Sequence, residues 1–340
     1  MKHIFAVISP LTFCIANKII QLDGIHPDDC IFFSLRDYQI PKQYTDIYKN
    51  QIKSTYGGGV YEGRYFAGLN VFKTRRNVRR FDSMIEKFLN GDEFYWYTSS
   101  CSDDVSNLMV SHPKCVGYYI TEDGISSYVD NPQTFVGIKY WIYKLILKPL
   151  FPRFYIAKNH FIETDCPKYK HCIATSQSCF PHQQENLRVI GNPFDEVEIG
   201  VKPDAILSID PLFLFIKDIN AIEDIYSRLA AFMQSKHYTT IAYKFHPLFN
   251  ADTNKEIKNA YLGLIHKYFG KDLFEISPEY ILEGILKHYK CDFYTSYSAT
   301  AIYIHDAGAK CYTYIPLLKK YTSFYDNVPF MDIFTEVQDN

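Results

Sequence analysis

The sequence predicts an α/β protein of two domains, each a parallel sheet with helices on both faces. Three observations point there. Short apolar runs suited to buried strands alternate with amphipathic runs suited to helices, the βα rhythm of parallel sheets. That rhythm breaks in the middle of the chain and restarts near residue 205. The length of 340 residues suits two domains with cores of their own.

Residues 4–9 form a buried strand, residues 11–22 carry helical spacing, and residues 30–35 make a second strand. The stretch from Ser54 to Gly59 ends in three glycines and reads as a flexible loop. Residues 78–89 are an amphipathic helix stopped by Asn90-Gly91. A strand at 93–99, a helix at 102–110 and a strand at 116–121 follow. Residues 136–155 then interrupt the rhythm, with Lys139, Lys144 and Lys148 punctuating an aromatic, apolar run. As a core helix this run is ordinary; as an interfacial helix it would rest on an anionic membrane surface. Residues 164–192 are rich in Cys, His, Gln and Pro and read as irregular. The crossing between domains is expected near Gly191 to Pro203, which gives domains at 1–195 and 196–340. The C-terminal tail is placed either with the second domain or back on the first. In the second half, strands at 205–209, 239–244, 274–276, 292–295 and 310–314 alternate with helices at 221–235, 255–269, 278–289 and 299–307. This is a second Rossmann-like half.

Composition removes several classes. Lys and Arg total 36 against 38 Asp and Glu, and a net charge of −2 lacks the footprint of a nucleic-acid binder. The one tight basic cluster, Arg75-Arg76 with Arg79-Arg80, is either a solvated helix start or a contact for an anionic acceptor or lipid headgroup. Nine scattered cysteines without a CxxC pair argue for reduced thiols rather than disulfides or zinc, hence a cytoplasmic compartment. The N-terminus enters a strand at once and Pro10 breaks it, unlike a signal peptide. No run reaches the ~18 apolar residues of a spanning helix, so any membrane contact is expected to be peripheral, on the inner face. Tyr is abundant (29 residues, against 2 Trp), which suits stacking on sugars and bases but equally reflects an AT-rich coding bias.

Chemistry-bearing residues collect where strands end. Glu122-Asp123-Gly124 follows one apolar strand, and Lys244-Phe245-His246-Pro247 closes another. Both therefore sit at the carboxyl edge of a sheet, where α/β proteins bind ligands. A carboxylate and a histidine suit a reaction in which one group accepts a proton and another donates one. Adjacent side chains point apart, so one of the two acids is expected to face a ligand, while Gly124 permits the tight turn. His-Pro occurs three times, at His26, His112 and His246; only the third ends a clean second-half strand with a lysine two residues upstream. Proline biases that histidine toward extended backbone. Such a histidine, alone, is more often structural or solvated; its place in an ordered series gives it weight. Downstream, Pro278 suits a first helical turn and sets Glu279 at a strand exit. There a carboxylate either accepts both hydroxyls of a ribose or simply meets the helix dipole. Finally, Ser296, Ser298 and Thr300 lie between a strand and a helix, and hydroxyls with N–H groups at a helix start make an anion site. An ordinary cap explains one of these residues but not the cluster.

In this order the pieces resemble bacterial sialyltransferases, which share a D/E-D/E-G motif, an HP motif and a Ser/Thr motif on a GT-B scaffold. Glu122-Asp123-Gly124 matches the first, and Ser126-Ser127-Tyr128-Val129 is similar to its usual continuation. Lys244-Phe245-His246-Pro247 matches the second. Ser296 to Thr300 matches the third, with Tyr297 and Ala299 interrupting the tighter form. Ile8-Ser9-Pro10-Leu11 is similar to the first strand-loop of the lipooligosaccharide sialyltransferase family. The resemblance implies two Rossmann-like domains facing each other across a cleft. It also implies a CMP-sialic acid donor, inversion at the anomeric carbon and a glycan acceptor ending in galactose or sialic acid. Glu122 would be the general base, and His246 would protonate or hydrogen-bond the departing phosphate. Ser298 and Thr300, with Ser296 in reserve, would hold that phosphate. Glu279 would take the ribose, with Lys244 and Pro247 beside the nucleotide; Asp123, Gly124 and Ser9 would lie on the acceptor side. Cytidine monophosphate is a good leaving group, so no metal or other cofactor is expected.

Two other classes share these features. Inverting GT-B transferases for Kdo or poly(glycerol phosphate) also place a histidine and a phosphate-binding helix in the second half, and a GT-B epimerase would dispense with the acceptor. In a non-catalytic polysaccharide assembly protein the same polar clusters would be ordinary caps and turns.

Overall fold

The first strand, β1 (Lys2–Val7), buries Ile4, Phe5 and Val7 almost completely, and β2 (Cys30–Ser34) is buried at every position. Strands of this kind need cover on both faces, which parallel sheets obtain from crossover helices. The computed structural model describes residues 1–35, 38–53, 71–101, 103–128, 145, 153, 164–250, 252–270, 272–305, 308–326, 328 and 331–338. The glycine loop at 54–59 and, apart from Leu145 and Arg153, the expected interfacial run at 136–155 lie outside them.

The chain divides into two units, Met1–Pro193 and Phe194–Asn340. In the first, β3 (Gln51–Lys53), β4 (Phe94–Thr98), β5 (Cys115–Thr121), β6 (Tyr169–Ala174) and β7 (Leu187–Val189) join β1 and β2 in a seven-stranded sheet ordered β3-β2-β1-β4-β5-β6-β7. All its pairings are parallel. The chain steps outward from β1 to β3, then crosses back to place β4 on the other side of β1. Carboxyl ends on either side of that reversal leave a crevice.

The second unit repeats the plan with β8 (Ala205–Ile209), β9 (Ile241–Phe245), β10 (Phe274–Glu275), β11 (Asp292–Thr295), β12 (Cys311–Thr313) and β13 (Thr335–Glu336). Their order is β10-β9-β8-β11-β12-β13, again parallel, with the reversal between β8 and β11. Helix Ile219–Gln234 packs Ile222, Ile225, Tyr226 and Leu229 onto one face of this sheet, in one core with Leu207 and Tyr294. Many tyrosines are consumed in stacking across neighbouring strands, as in Tyr97 on Tyr119 and Tyr294 on Tyr312, whose ring centroids lie 4.7 and 4.6 Å apart.

Three details differ from the sequence reading, and the tail takes one of its two expected placements. The stretch at 164–192 is not irregular: it contributes β6 and β7, whose buried Cys172, Ile173 and Ala174 were too short a run to stand out among polar neighbours. The helix expected at 78–89 spans Val71–Leu89, its first two turns hidden by arginines. The helix expected from Pro278 starts at Leu282, because residues 278–280 form a turn. The tail supplies β13, which pairs with β12 of the second unit's own sheet.

One close approach is diagnostic. A Cβ on Gly284 would stand 2.5 Å from Asp195 O and 2.7 Å from a Val197 methyl, while Val197 N donates to Gly284 O at 3.1 Å. Backbone cannot yield as a side chain can. We expect Gly284→Ala to destabilise the fold by about 1–3 kcal/mol in urea titration. Gly117→Ala, whose nearest contact would be the flexible stem of Lys170, should cost clearly less.

Candidate functional site

The second unit gathers polar groups at the carboxyl edge of its sheet. Asp210 leaves β8 at the reversal point and is only 6% exposed. Its carboxylate accepts from Ser208 Oγ (2.9 Å), Thr295 Oγ1 (3.0 Å), the Ser296 N–H (2.6 Å) and Tyr314 OH (2.8 Å). It thereby fastens the ends of β8 and β11 and the residue after β12. Asp210 was not singled out in the sequence, because three of its four donors come from segments 85 to 104 residues away.

His246 leaves β9 next door. Its N–H continues the ladder to Ile209 O at 3.0 Å, and its Nδ1 accepts the Leu248 N–H at 3.2 Å. An Nδ1 that accepts cannot carry the proton, so the neutral ring holds its hydrogen on Nε2. Burial pushes the imidazole pKa down, against the opposing charge of Asp210. Asp28 N–H meets His26 Nδ1 at 3.3 Å and Lys114 N–H meets His112 Nδ1 at 3.2 Å in the same way. The His-Pro-x turn therefore caps itself wherever it occurs. What distinguishes His246 is its place at a strand exit beside the buried Asp210, while Pro247 opens the short turn Pro247–Asn250.

Lys244, on the same strand, points its Nζ at the carbonyls of Ser277 (3.3 Å), Pro278 (3.2 Å) and Tyr280. It clamps the loop after β10. Desolvation lowers its pKa to about 8, opposed by Glu283 and Glu279. Glu279 is exposed in that loop rather than in a helical turn. The carboxylate in the first turn of Leu282–Tyr289 is Glu283, which accepts from Thr300 Oγ1 at 2.7 Å and whose pKa burial raises. Ser298 Oγ donates to Thr300 Oγ1 (3.1 Å) and accepts from Thr300 N (3.2 Å), so Ser298, Thr300 and Glu283 form one chain. Ser296 is buried, its N–H committed to Asp210 and its side chain to Tyr325.

In the first unit, Glu122 leaves β5 and is 0% exposed. Its Oε2 accepts from both the N–H (2.7 Å) and the hydroxyl (2.8 Å) of Thr175, at the exit of β6. Tyr128 joins this cluster, with its OH 3.2 Å from Thr175 Oγ1. Asp123 is half-buried; its N–H donates to Ser127 Oγ at 2.9 Å, and Ser126 Oγ donates to its carbonyl at 3.0 Å. Gly124 has φ +68°, a left-handed value that glycine adopts without strain. Of the two acids, Glu122 is thus turned inward. Ser9 caps helix Pro10–Asp23 in a capping box: its Oγ accepts the Thr12 N–H (3.3 Å), and Thr12 Oγ1 accepts the Ser9 N–H (3.0 Å).

No protein-family model matches the chain, and no curated protein matches it. Solved structures do. The UDP-GlcNAc 2-epimerase from Methanocaldococcus jannaschii aligns over 100% of this chain and 89% of its own, with 12% identity and a TM-score of 0.51. The S. aureus MnaA–UDP structure covers 92% and 79% at 10% identity (TM-score 0.49). The Neisseria meningitidis UDP-GlcNAc 2-epimerase bound to UDP-GlcNAc covers 92% and 82% at 10% identity (TM-score 0.48). Together with the two parallel sheets, the first of these likenesses shows a two-domain Rossmann-like fold of the GT-B class.

Two outcomes test this edge. Asp210→Asn removes an acceptor that four donors share, so we expect a loss of about 1–3 kcal/mol. It also removes the charge that supports the His246 proton, so NMR should find that imidazole titrating at lower pH; an unmoved titration would show that Asp210 does not govern it. For Lys244 the folded pKa lies below the unfolded one. Between about pH 8 and the usual lysine range the unfolded chain binds more protons, so stability contributed at this position rises with pH. The stability of wild type relative to Lys244→Met should therefore grow across that window in urea titrations.

Proposed function

We propose that the protein is an inverting sialyltransferase that moves sialic acid from CMP-sialic acid to a hydroxyl of a galactose- or sialic acid-terminated glycan, of lipooligosaccharide or capsule type. The observation that carries this reading is the second unit's carboxyl edge, where His246, Asp210 and the Ser298–Thr300–Glu283 chain meet at adjoining strand exits. The GT-B likeness supports nucleotide-sugar use, since the M. jannaschii neighbour is a UDP-GlcNAc 2-epimerase. The choice of donor rests on the ordered D/E-D/E-G, HP and Ser/Thr motifs.

In this reading His246, neutral and protonated on Nε2, donates to a phosphate oxygen as cytidine monophosphate departs. Ser298 and Thr300 contribute hydroxyls to the same phosphate; Ser296, already committed, supports Asp210. The ribose falls to Glu279 or to Glu283, with Lys244 fixing the loop that carries the former. Pro247 sets the turn that orients the imidazole. On the acceptor side, Asp123 is the less buried of the two acids and takes the role of general base. Glu122 holds its turn against Thr175, Gly124 permits that turn, and Ser9 keeps its helix capped. No metal or cofactor is required, because the leaving group is already good.

A second reading, favoured by the likeness to the M. jannaschii protein, is a nucleotide-sugar epimerase. It needs no acceptor.

Release of cytidine monophosphate from CMP-sialic acid, with and without lactose and in EDTA, separates the two. We expect release stimulated by the acceptor and untouched by the chelator. Asp123→Asn and His246→Ala should each lower turnover ~100-fold, while Glu122→Gln should chiefly lower the melting temperature. A folded Asp123→Asn/His246→Ala double variant that keeps full activity would sink the assignment.

A further inference from the structure

Helix Val71–Leu89 buries one side and leaves the other outside. Thr74, Asn77, Val78, Phe81, Ile85 and Leu89 face inward. At 100° per residue, Phe72, Arg75, Arg76, Arg79, Arg80 and Lys87 fall on the opposite side within an arc of about 140°. All six are exposed, and Phe72 reaches 86%. Both acids of this helix are matched elsewhere: Asp82 pairs with Arg153 at 2.5 Å and Glu86 with Lys114 at 2.6 Å. The outer face is therefore a concentrated cationic strip on a chain whose net charge is −2.

We propose that this face docks the protein on an anionic lipid surface. Guanidinium groups pair with phosphate headgroups in forked hydrogen bonds, and each basic side chain near such a surface strengthens attachment. Phe72, at the end of the strip, enters the boundary between headgroups and acyl chains. An exposed phenylalanine beside arginines suits a bilayer better than a soluble polyanion, which offers it no apolar layer, and the net charge of −2 lacks the footprint of a nucleic-acid binder. The inference is independent of which sugar nucleotide the second unit takes.

The test is sedimentation of the full chain with vesicles of phosphatidylcholine alone or with about one-third phosphatidylglycerol. Binding should require the anionic lipid and weaken as salt rises. Arg76→Gln with Arg80→Gln should lower the partition coefficient about 25-fold, two charges at roughly fivefold each, without changing the circular dichroism spectrum. Phe72→Ser should weaken binding in low and high salt alike. Three results would overturn the proposal: no selectivity for anionic vesicles, unchanged binding by the double arginine variant, or tighter arginine-dependent binding to an oligonucleotide or heparin than to vesicles.

Discussion

The buried carboxylate of Asp210 is the constraint on which the second unit's edge depends. A parallel sheet aligns its strands through the backbone, but past the last ladder bond each chain end is free to splay. Asp210 collects donors from β8, from the last residue of β11 and the one after it, and from the residue after β12. A carboxylate suits this role because it only accepts, and an amide in its place would turn donors against donors. The same charge lies beside His246, so the group that holds the edge together also bears on the proton of its neighbour. Structure and chemistry are joined in one side chain.

The fold was legible where burial is symmetrical. Strands such as β2 and β8 are buried at every position and apolar at four of five, and the helices between them keep a clear period, so element type and order follow from hydrophobicity. It was not legible where length or charge hides the pattern. Strands β7 and β13 have three and two residues, too few for any period, and exist only because a longer neighbour offers its edge. The start of Val71–Leu89 carries no apolar stripe: its inward residues Thr74 and Asn77 are polar, Phe72 lies outside, and four arginines surround them.

The site was legible in part for a related reason. Motif order finds the strand exits, since a polar cluster after an apolar run marks the carboxyl edge. It does not find direction. Glu122 and Asp123 are equivalent in the sequence, yet one lies against Thr175 and the other is half-buried in the turn. Likewise Glu279 and Glu283 are one turn apart, and where the helix begins decides which of them meets Thr300. The three His-Pro turns share one local geometry, so the dipeptide reports a turn and only tertiary placement can report chemistry.

The last strand gives the second sheet its boundary. Thr335–Glu336 pairs with β12, Val337 is completely buried and its N–H meets Thr313 O at 2.8 Å. Without these residues the outer backbone of Cys311–Thr313 would be an open row of donors and acceptors, the kind of edge that recruits another strand. A polypeptide ending a few residues earlier would thus be prone to self-association. Removing residues 335–338 would show itself as loss of solubility before any change at the sheet's carboxyl edge.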